Sequence, residues 1–278
     1  MQTIHIADFI QERALTAQGL KRNTAGLRTG LTDLDHQFCL HPGELTVVAA
    51  RPSMGKTAFV LQVALHNALQ ENVPTLYFSL DSAKKLLVTR MAGYLAGVDA
   101  NCIRRGNASA DEEISINNAL VELSKSKLYI NAVNILSVSN MLDECEAVMQ
   151  SYGLRLIVID DFQLLKHNPN QKEIVKLIVD LKNFAGRLKV PIIITARVNR
   201  ACEKRTDHRP LLQDAFGKYD VIVDMADNIL FLYRPDYYSP DPSEQRNILE
   251  VIIPKQIDGF TGTTEVNYCW QTGRLSDL

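Results

Sequence analysis

Leu45-Thr46-Val47-Val48-Ala49-Ala50-Arg51-Pro52-Ser53-Met54-Gly55-Lys56-Thr57-Ala58 carries an apolar run straight into a short turn closed by Gly-Lys-Thr. The run reads as a buried strand, and Phe59, Val60, Val63, Ala64 and Ala68 then recur at helical spacing. Strand, turn and helix in this order form a phosphate-binding loop. Consecutive backbone N–H groups in the turn, together with the positive end of the helix dipole, hold a polyanion without a dedicated cage of cations. Ala50, Arg51, Pro52, Ser53, Met54, Gly55, Lys56, Thr57 and Ala58 are the expected nucleotide cradle. Within it Lys56 reaches the β- and γ-phosphates and Thr57 offers its hydroxyl to Mg²⁺.

Outward from this loop, strands alternate with helices. Strand candidates at 44–50, 75–80, 127–131, 155–160 and 191–196 are interleaved with helix candidates at 56–70, 83–95, 112–123, 138–151 and 172–188. That alternation predicts an α/β fold, a mostly parallel sheet flanked by helices. Strands at 228–234, 248–255 and 264–270 lack long helices between them and are expected to form a C-terminal antiparallel extension, with Asp258-Gly259 and Gly262 turning the last pair. Residues 15–29 and 199–227 read as loops.

The chain has 278 residues, of which 46% are hydrophobic, enough for one large α/β domain. Thirty basic against 32 acidic side chains give a formal charge of −2, so no global positive field announces nucleic acid, and any such contact must be local or shared between subunits. No apolar stretch is long enough to span a bilayer, and the first residues lack the basic start and apolar block of a secretion signal, so a cytoplasmic location without membrane contact is expected. Cys39, Cys102, Cys145, Cys202 and Cys269 are scattered without metal-site spacing and read as reduced thiols.

A phosphate-loop enzyme needs an acidic residue at the end of a neighbouring strand. Leu156-Ile157-Val158-Ile159-Asp160 has that form, with Asp160 placed to hold a Mg²⁺-bound water, while Asp161 reads as an ordinary capping residue. Residues 197–209 hold Arg197, Arg200, Lys204, Arg205 and Arg209 against Glu203 and Asp207, followed by a mobile-looking stretch from Gln213 to Asp224 that includes Lys218 and Tyr219. Arg200, Lys204, Arg205 and Lys218 could neutralise phosphates and Tyr219 could stack on a base, although on these residues alone a solvated surface run is the preferred reading. Near the N-terminus, Ile6, Phe9 and Ile10 share one helical face, and the polar residues 16–28 behind them suit a tether.

Several segments, in order, resemble the C-terminal ATPase domain of the DnaB family of hexameric replicative helicases. They include Thr29-Gly30-Leu31-Thr32-Asp33-Leu34-Asp35, the phosphate loop, Phe78-Ser79-Leu80-Asp81 and Val158-Ile159-Asp160-Asp161-Phe162-Gln163-Leu164-Leu165. Val198-Asn199-Arg200, the stretch 227–238, and Lys255-Gln256-Ile257-Asp258-Gly259 with Thr261-Gly262-Thr263 extend the likeness to Asp277. The resemblance implies a RecA-like fold over 29–278, ATP and Mg²⁺ as ligands, a hexameric ring of identical subunits, single-stranded DNA in its pore, and other replication proteins as partners. It also implies that residues 1–28 are a linker helix and tether docking on a neighbouring subunit, and that the family's N-terminal collar domain is lacking here.

Against the family pattern, Asp81 stands where a glutamate aligns the attacking water, and Arg197 where a glutamine senses the γ-phosphate. Ile257 stands where a trans-acting arginine finger belongs, leaving Lys255 as a partial substitute. A displacement of about 1 Å can cost on the order of a hundredfold in rate, and a missing finger about a thousandfold or more. Lys56, Asp81, Asp160, Arg197 and Lys255 are therefore the expected catalytic set, with binding intact and hydrolysis attenuated. An ATP-binding regulatory or scaffold homologue without motor activity is the alternative.

Overall fold

In the computed structural model, which describes residues 26–132, 138–165, 170–214, 216–238 and 247–278, the apolar runs lie side by side as strands of one sheet. These are β1 (Leu45–Ala50), β2 (Thr75–Ser79), β3 (Leu128–Asn131), β4 (Leu156–Asp160), β5 (Ile192–Arg197), β6 (Asn228–Tyr233), β7 (Ile248–Lys255), β8 (Gly262–Cys269) and β9 (Arg274–Ser276). Their spatial order is β3-β2-β4-β5-β1-β6-β7-β8-β9. Pairings from β3 through to β6 are parallel, and those from β6 to β9 are antiparallel. This corrects one expectation, because β6 pairs parallel with β1 and so completes the parallel sheet before the antiparallel strands begin. The short β9 carries too few residues to register as a period-two pattern.

Around the sheet lie α1 (Thr32–Asp35), α2 (Lys56–Leu65), α3 (Lys84–Ala96), α4 (Ala100–Arg105), α5 (Ala110–Lys125), α6 (Val138–Tyr152), α7 (Gln171–Leu188) and α8 (Val221–Met225). The helix expected over 56–70 changes to a π-helical turn at His66–Gln70. Capping boxes start α5 at Ser109–Glu112 and α7 at Asn170–Glu173, each satisfying backbone N–H groups that a helix start leaves open. Helix α7 buries Ile174, Leu177, Ile178, Leu181, Phe184 and Ala185, the spacing of a single helical face.

The strands split their side chains between two core layers, as a period of two requires. Leu45, Val47 and Ala49 of β1 join Ile157 and Ile159 of β4 against α7 on one face. Val48 and Ala50 join Leu156 and Val158 against α2 on the other. Sequence expectation fails for 199–227. Its first half holds 3-10 turns at Arg200–Lys204 and Leu212–Asp214, but its second half forms a 3-10 turn at Gly217–Tyr219 and then α8, burying Phe216, Tyr219, Ile222 and Ala226 in the first layer. Among the described residues no helix is long and apolar enough to cross a membrane. The expected N-terminal linker helix lies outside the described residues.

Candidate functional site

Strand order brings the C-terminal ends of β1, β5 and β4 together, with β5 between the other two. Val48 is level with Thr195 and Ala50 with Arg197 across the β1–β5 pair. In an open parallel sheet this edge is where ligands bind. The loop leaving β1 reverses through Gly55, whose φ of 91° lies in the left-handed region that glycine adopts without steric cost. A Cβ at Gly55 would also meet the Tyr268 ring at 3.4 Å. Helix α2 starts at once with Lys56, aiming its N-terminal N–H groups into the turn.

A cleft of about 580 Å³ opens over this turn, within the usual range of small-ligand pockets. Pro52, Ser53, Gly55, Lys56, Thr57 and Ala58 line it, together with Asp81, Asp160, Asp161 and Arg197. Three residues of the expected cradle do not. Ala50 and Met54 are buried in the core, and Arg51 turns away to donate to Glu203 at 2.9 Å and to the Val198 carbonyl at 2.9 Å. The Lys56 ammonium folds over the loop, donating to the carbonyls of Ala50 at 3.3 Å and Arg51 at 3.5 Å. Burial lowers its pKa, while the Asp161 and Asp160 carboxylates oppose that shift.

Asp160 is held by hydroxyl donors. Thr57 Oγ1 donates to its Oδ2 at 2.9 Å, Tyr77 OH to the same oxygen at 3.0 Å, and Thr195 Oγ1 to Oδ1 at 2.6 Å. Burial, reinforced by Asp160, pushes the Tyr77 phenol well above its ordinary pKa, so it stays a neutral donor. The hydroxyl of Thr57 beside a buried carboxylate is a hard oxygen set suited to Mg²⁺, which takes one or two protein ligands and completes its shell with phosphate and water. Among the described residues no group of three or more His, Cys, Asp or Glu side chains is placed to hold a metal ion.

Asp161 does cap the 3-10 turn Phe162–Leu164, accepting from Gln163 N at 3.3 Å. It also accepts from Arg197 Nε at 2.8 Å, a pair that sequence reading missed. Burial raises the Asp161 pKa, opposed by Arg197 and Lys56, and the bond to Asp161 raises that of Arg197. Gln163 Oε1 accepts from Arg197 N at 2.9 Å, tying the end of β5 to the same turn. Thr195 and Arg197 alternate with buried apolar residues along β5, so polar positions two apart in an apolar strand were the signal for this layer.

Asp81 is exposed on the cleft wall, whereas Lys255 lies outside the cleft of its own chain. The Lys255 ammonium donates to the carbonyls of Val223 at 2.6 Å and Asp224 at 3.2 Å near the C-terminal end of α8. Ile257 is exposed beside it.

The basic run is corrected most. Arg205 is paired with Asp214 at 2.6 Å, and Arg209 grips buried Glu250 with bonds of 2.8 and 2.6 Å while lying over the Tyr233 ring. Tyr219 is only 7% exposed and meets Phe162 edge to face at 5.5 Å, so its ring is a core element and offers no face to a base. Arg200 and Lys204 are exposed, and the Lys218 side chain lies outside the described residues.

Residues 26–277 match the family described as DnaB-like helicase C terminal domain. The chain is 34% identical over 259 residues to the replicative DNA helicase DnaB of Geobacillus stearothermophilus, covering 91% of this chain and 57% of that protein. It is 33% identical over 264 residues to the replicative DNA helicase DnaC of Bacillus subtilis, covering 93% and 58%. The chain thus spans a little over half the length of these curated relatives. Among solved structures, one described as an ATPase domain is 31% identical with a TM-score of 0.88, each chain covered over 100%. A DnaB-like replicative helicase, described with its interactions with primase, is 30% identical with a TM-score of 0.87, covering 100% of this chain and 68% of that one.

Proposed function

The chain belongs to the DnaB-like helicase C-terminal domain family, and from that premise we propose that it is an ATP-binding domain of a replicative DNA helicase, with hydrolysis attenuated. The observation that carries the nucleotide reading is the 2.9 Å bond between Thr57 and Asp160, beside Lys56 in one cleft. Backbone N–H groups at residues 53–57 bind the phosphate chain, Lys56 adds a point charge to it, and Thr57 and Asp160 would hold Mg²⁺ directly or through water. Bound with the nucleotide, Mg²⁺ supplies neutralisation of charge on the phosphate oxygens. Asp81 orients the attacking water from a side chain one methylene shorter than the family's glutamate, which slows the reaction. Ile257 brings no charge to a neighbour's phosphates, which removes about a thousandfold or more of acceleration.

Active sites are shared between subunits of a homohexameric ring, which residues 1–28 stabilise by docking on the neighbour. Single-stranded DNA runs through the pore, contacted at Arg200, Lys204 and Lys218, and other replication proteins engage the ring. The test is ATP turnover with and without single-stranded DNA, alongside sizing with a non-hydrolysable analogue. Slow, DNA-stimulated turnover that rises in Ile257→Arg is the expected result. Turnover as fast as an ordinary replicative helicase, unchanged by that substitution, would overturn the attenuation. A second reading, an ATP-binding regulatory or scaffold homologue, is favoured by exposed Ile257 and by the Arg197–Asp161 pair. Tight binding with negligible turnover, even in Ile257→Arg and with DNA present, would select it.

A further inference from the structure

The cleft is longer than the phosphate loop requires, and its two flanks differ in chemistry. Asp81, Asp160, Asp161 and Arg197 make one flank charged. The other is the turn between β8 and β9. There the Tyr268 ring lies against Gly55, and Gly273 sits beside Ala58 at the start of α2. Tyr268, Trp270 and Tyr94 bring aromatic rings to this flank. A nucleotide whose phosphates lie on 52–57 must send its base along the cleft, and a neutral planar base is unsuited to the flank lined by carboxylates.

Tyr268 is not free to receive it. Its ring is buried, with Gly55 on one side and the Arg234 guanidinium over it at 5.1 Å. Trp270 is different. It is 53% exposed while lining the same cleft, and it is the only tryptophan in the chain. A large aromatic surface left open at the mouth of a polar cleft marks a contact for a ligand with an apolar face.

We propose that Trp270 is the stacking platform for the nucleobase, and that it determines how strongly the site prefers a nucleotide over a bare phosphate chain. The inference rests on the nucleotide reading above. Asn101 and Arg104 of α4 line the same cleft, with Arg104 donating to Asn101 Oδ1 at 3.1 Å, and they provide polar groups for the edge of the base. Stacking depends on the π-face alone, so purine nucleotides with the larger face bind more tightly than pyrimidine ones.

The lone tryptophan is also the probe. Titrating the full chain with Mg·ATP should change its emission, while magnesium tripolyphosphate, which has no base, should bind and leave the emission unmoved. In calorimetry, Trp270→Ala should weaken Mg·ATP by about tenfold to a hundredfold and leave tripolyphosphate unchanged, with Trp270→Phe keeping most of the affinity. Equal Mg·ATP affinity in wild type and Trp270→Ala, with emission unaltered on binding, would overturn the platform alone. No heat from either ligand would remove the nucleotide reading and this inference together.

Discussion

The phosphate loop and the basic run at 197–209 are both rich in charged and polar side chains, yet they dispose of them in opposite ways. Around the loop, Lys56, Thr57, Asp160 and the α2 N-terminus face one shared cleft. In the basic run, Arg197 pairs with Asp161, Arg205 with Asp214 and Arg209 with Glu250, while Glu203 takes Arg51. Counting charges along a sequence therefore overstates what a surface can offer a polyanion. A pair whose acid is buried is held by the cost of leaving that acid unpaired, and releasing the base to a ligand incurs that cost.

The sharpest way to break this contrast is Tyr219→Ala. As a core element, its loss should destabilise the fold by about 3 kcal/mol in denaturant melts, because a buried aromatic leaves a cavity beside Phe162. Unchanged stability with weakened oligonucleotide binding would return Tyr219 to a DNA-contacting role. Next in size is Lys56→Ala, which should weaken Mg·ATP by about tenfold to a hundredfold in calorimetry while the melting temperature moves little.

Arg197→Ala tests the boundary between the two regions. It strips the closest counter-charge from buried Asp161 and should cost about 1–2 kcal/mol near neutral pH. The pH dependence has a definite sign. Burial already raises the Asp161 pKa and Arg197 opposes that, so removing Arg197 raises it further. A folded-state pKa above the unfolded one disfavours the fold as pH rises through it, so the penalty should shrink on acidification toward the ordinary aspartate range. A pH-independent loss would mean that the effect comes from packing. The smallest effect separates the exposed cation from the paired one among the described residues. Lys204→Ala should lower the slope of single-stranded DNA affinity against salt by about one, while Arg205→Ala should leave it alone and lower stability instead.

Legibility in the sequence followed the range of the forces involved. The phosphate loop could be read because its meaning lies in adjacent residues, namely an apolar strand, a glycine able to adopt a positive φ, and a helix start. Asp160 could be read because it ends an apolar run. Tyr77 gave no such signal, and the carboxylate that Thr195 meets could not be read either, since only the β2–β4–β5 neighbour order brings both hydroxyls to Asp160. The stretch 213–224 was misjudged for a related reason. Its apolar residues are spaced by short irregular turns, so neither a helical nor a strand period signals their burial.

The order of residues alone determined that a glycine turn and a helix start follow the end of a buried strand, because backbone conformation and hydrophobic periodicity are local properties. Which acid faces which base, and which aromatic ring is left open beside the cradle, depended on contacts between residues tens to hundreds of positions apart. Those pairings arise only when the sheet order is set and burial makes an unpartnered charge costly, so tertiary structure alone could assign Arg209 to Glu250 and leave Trp270 exposed at the cleft.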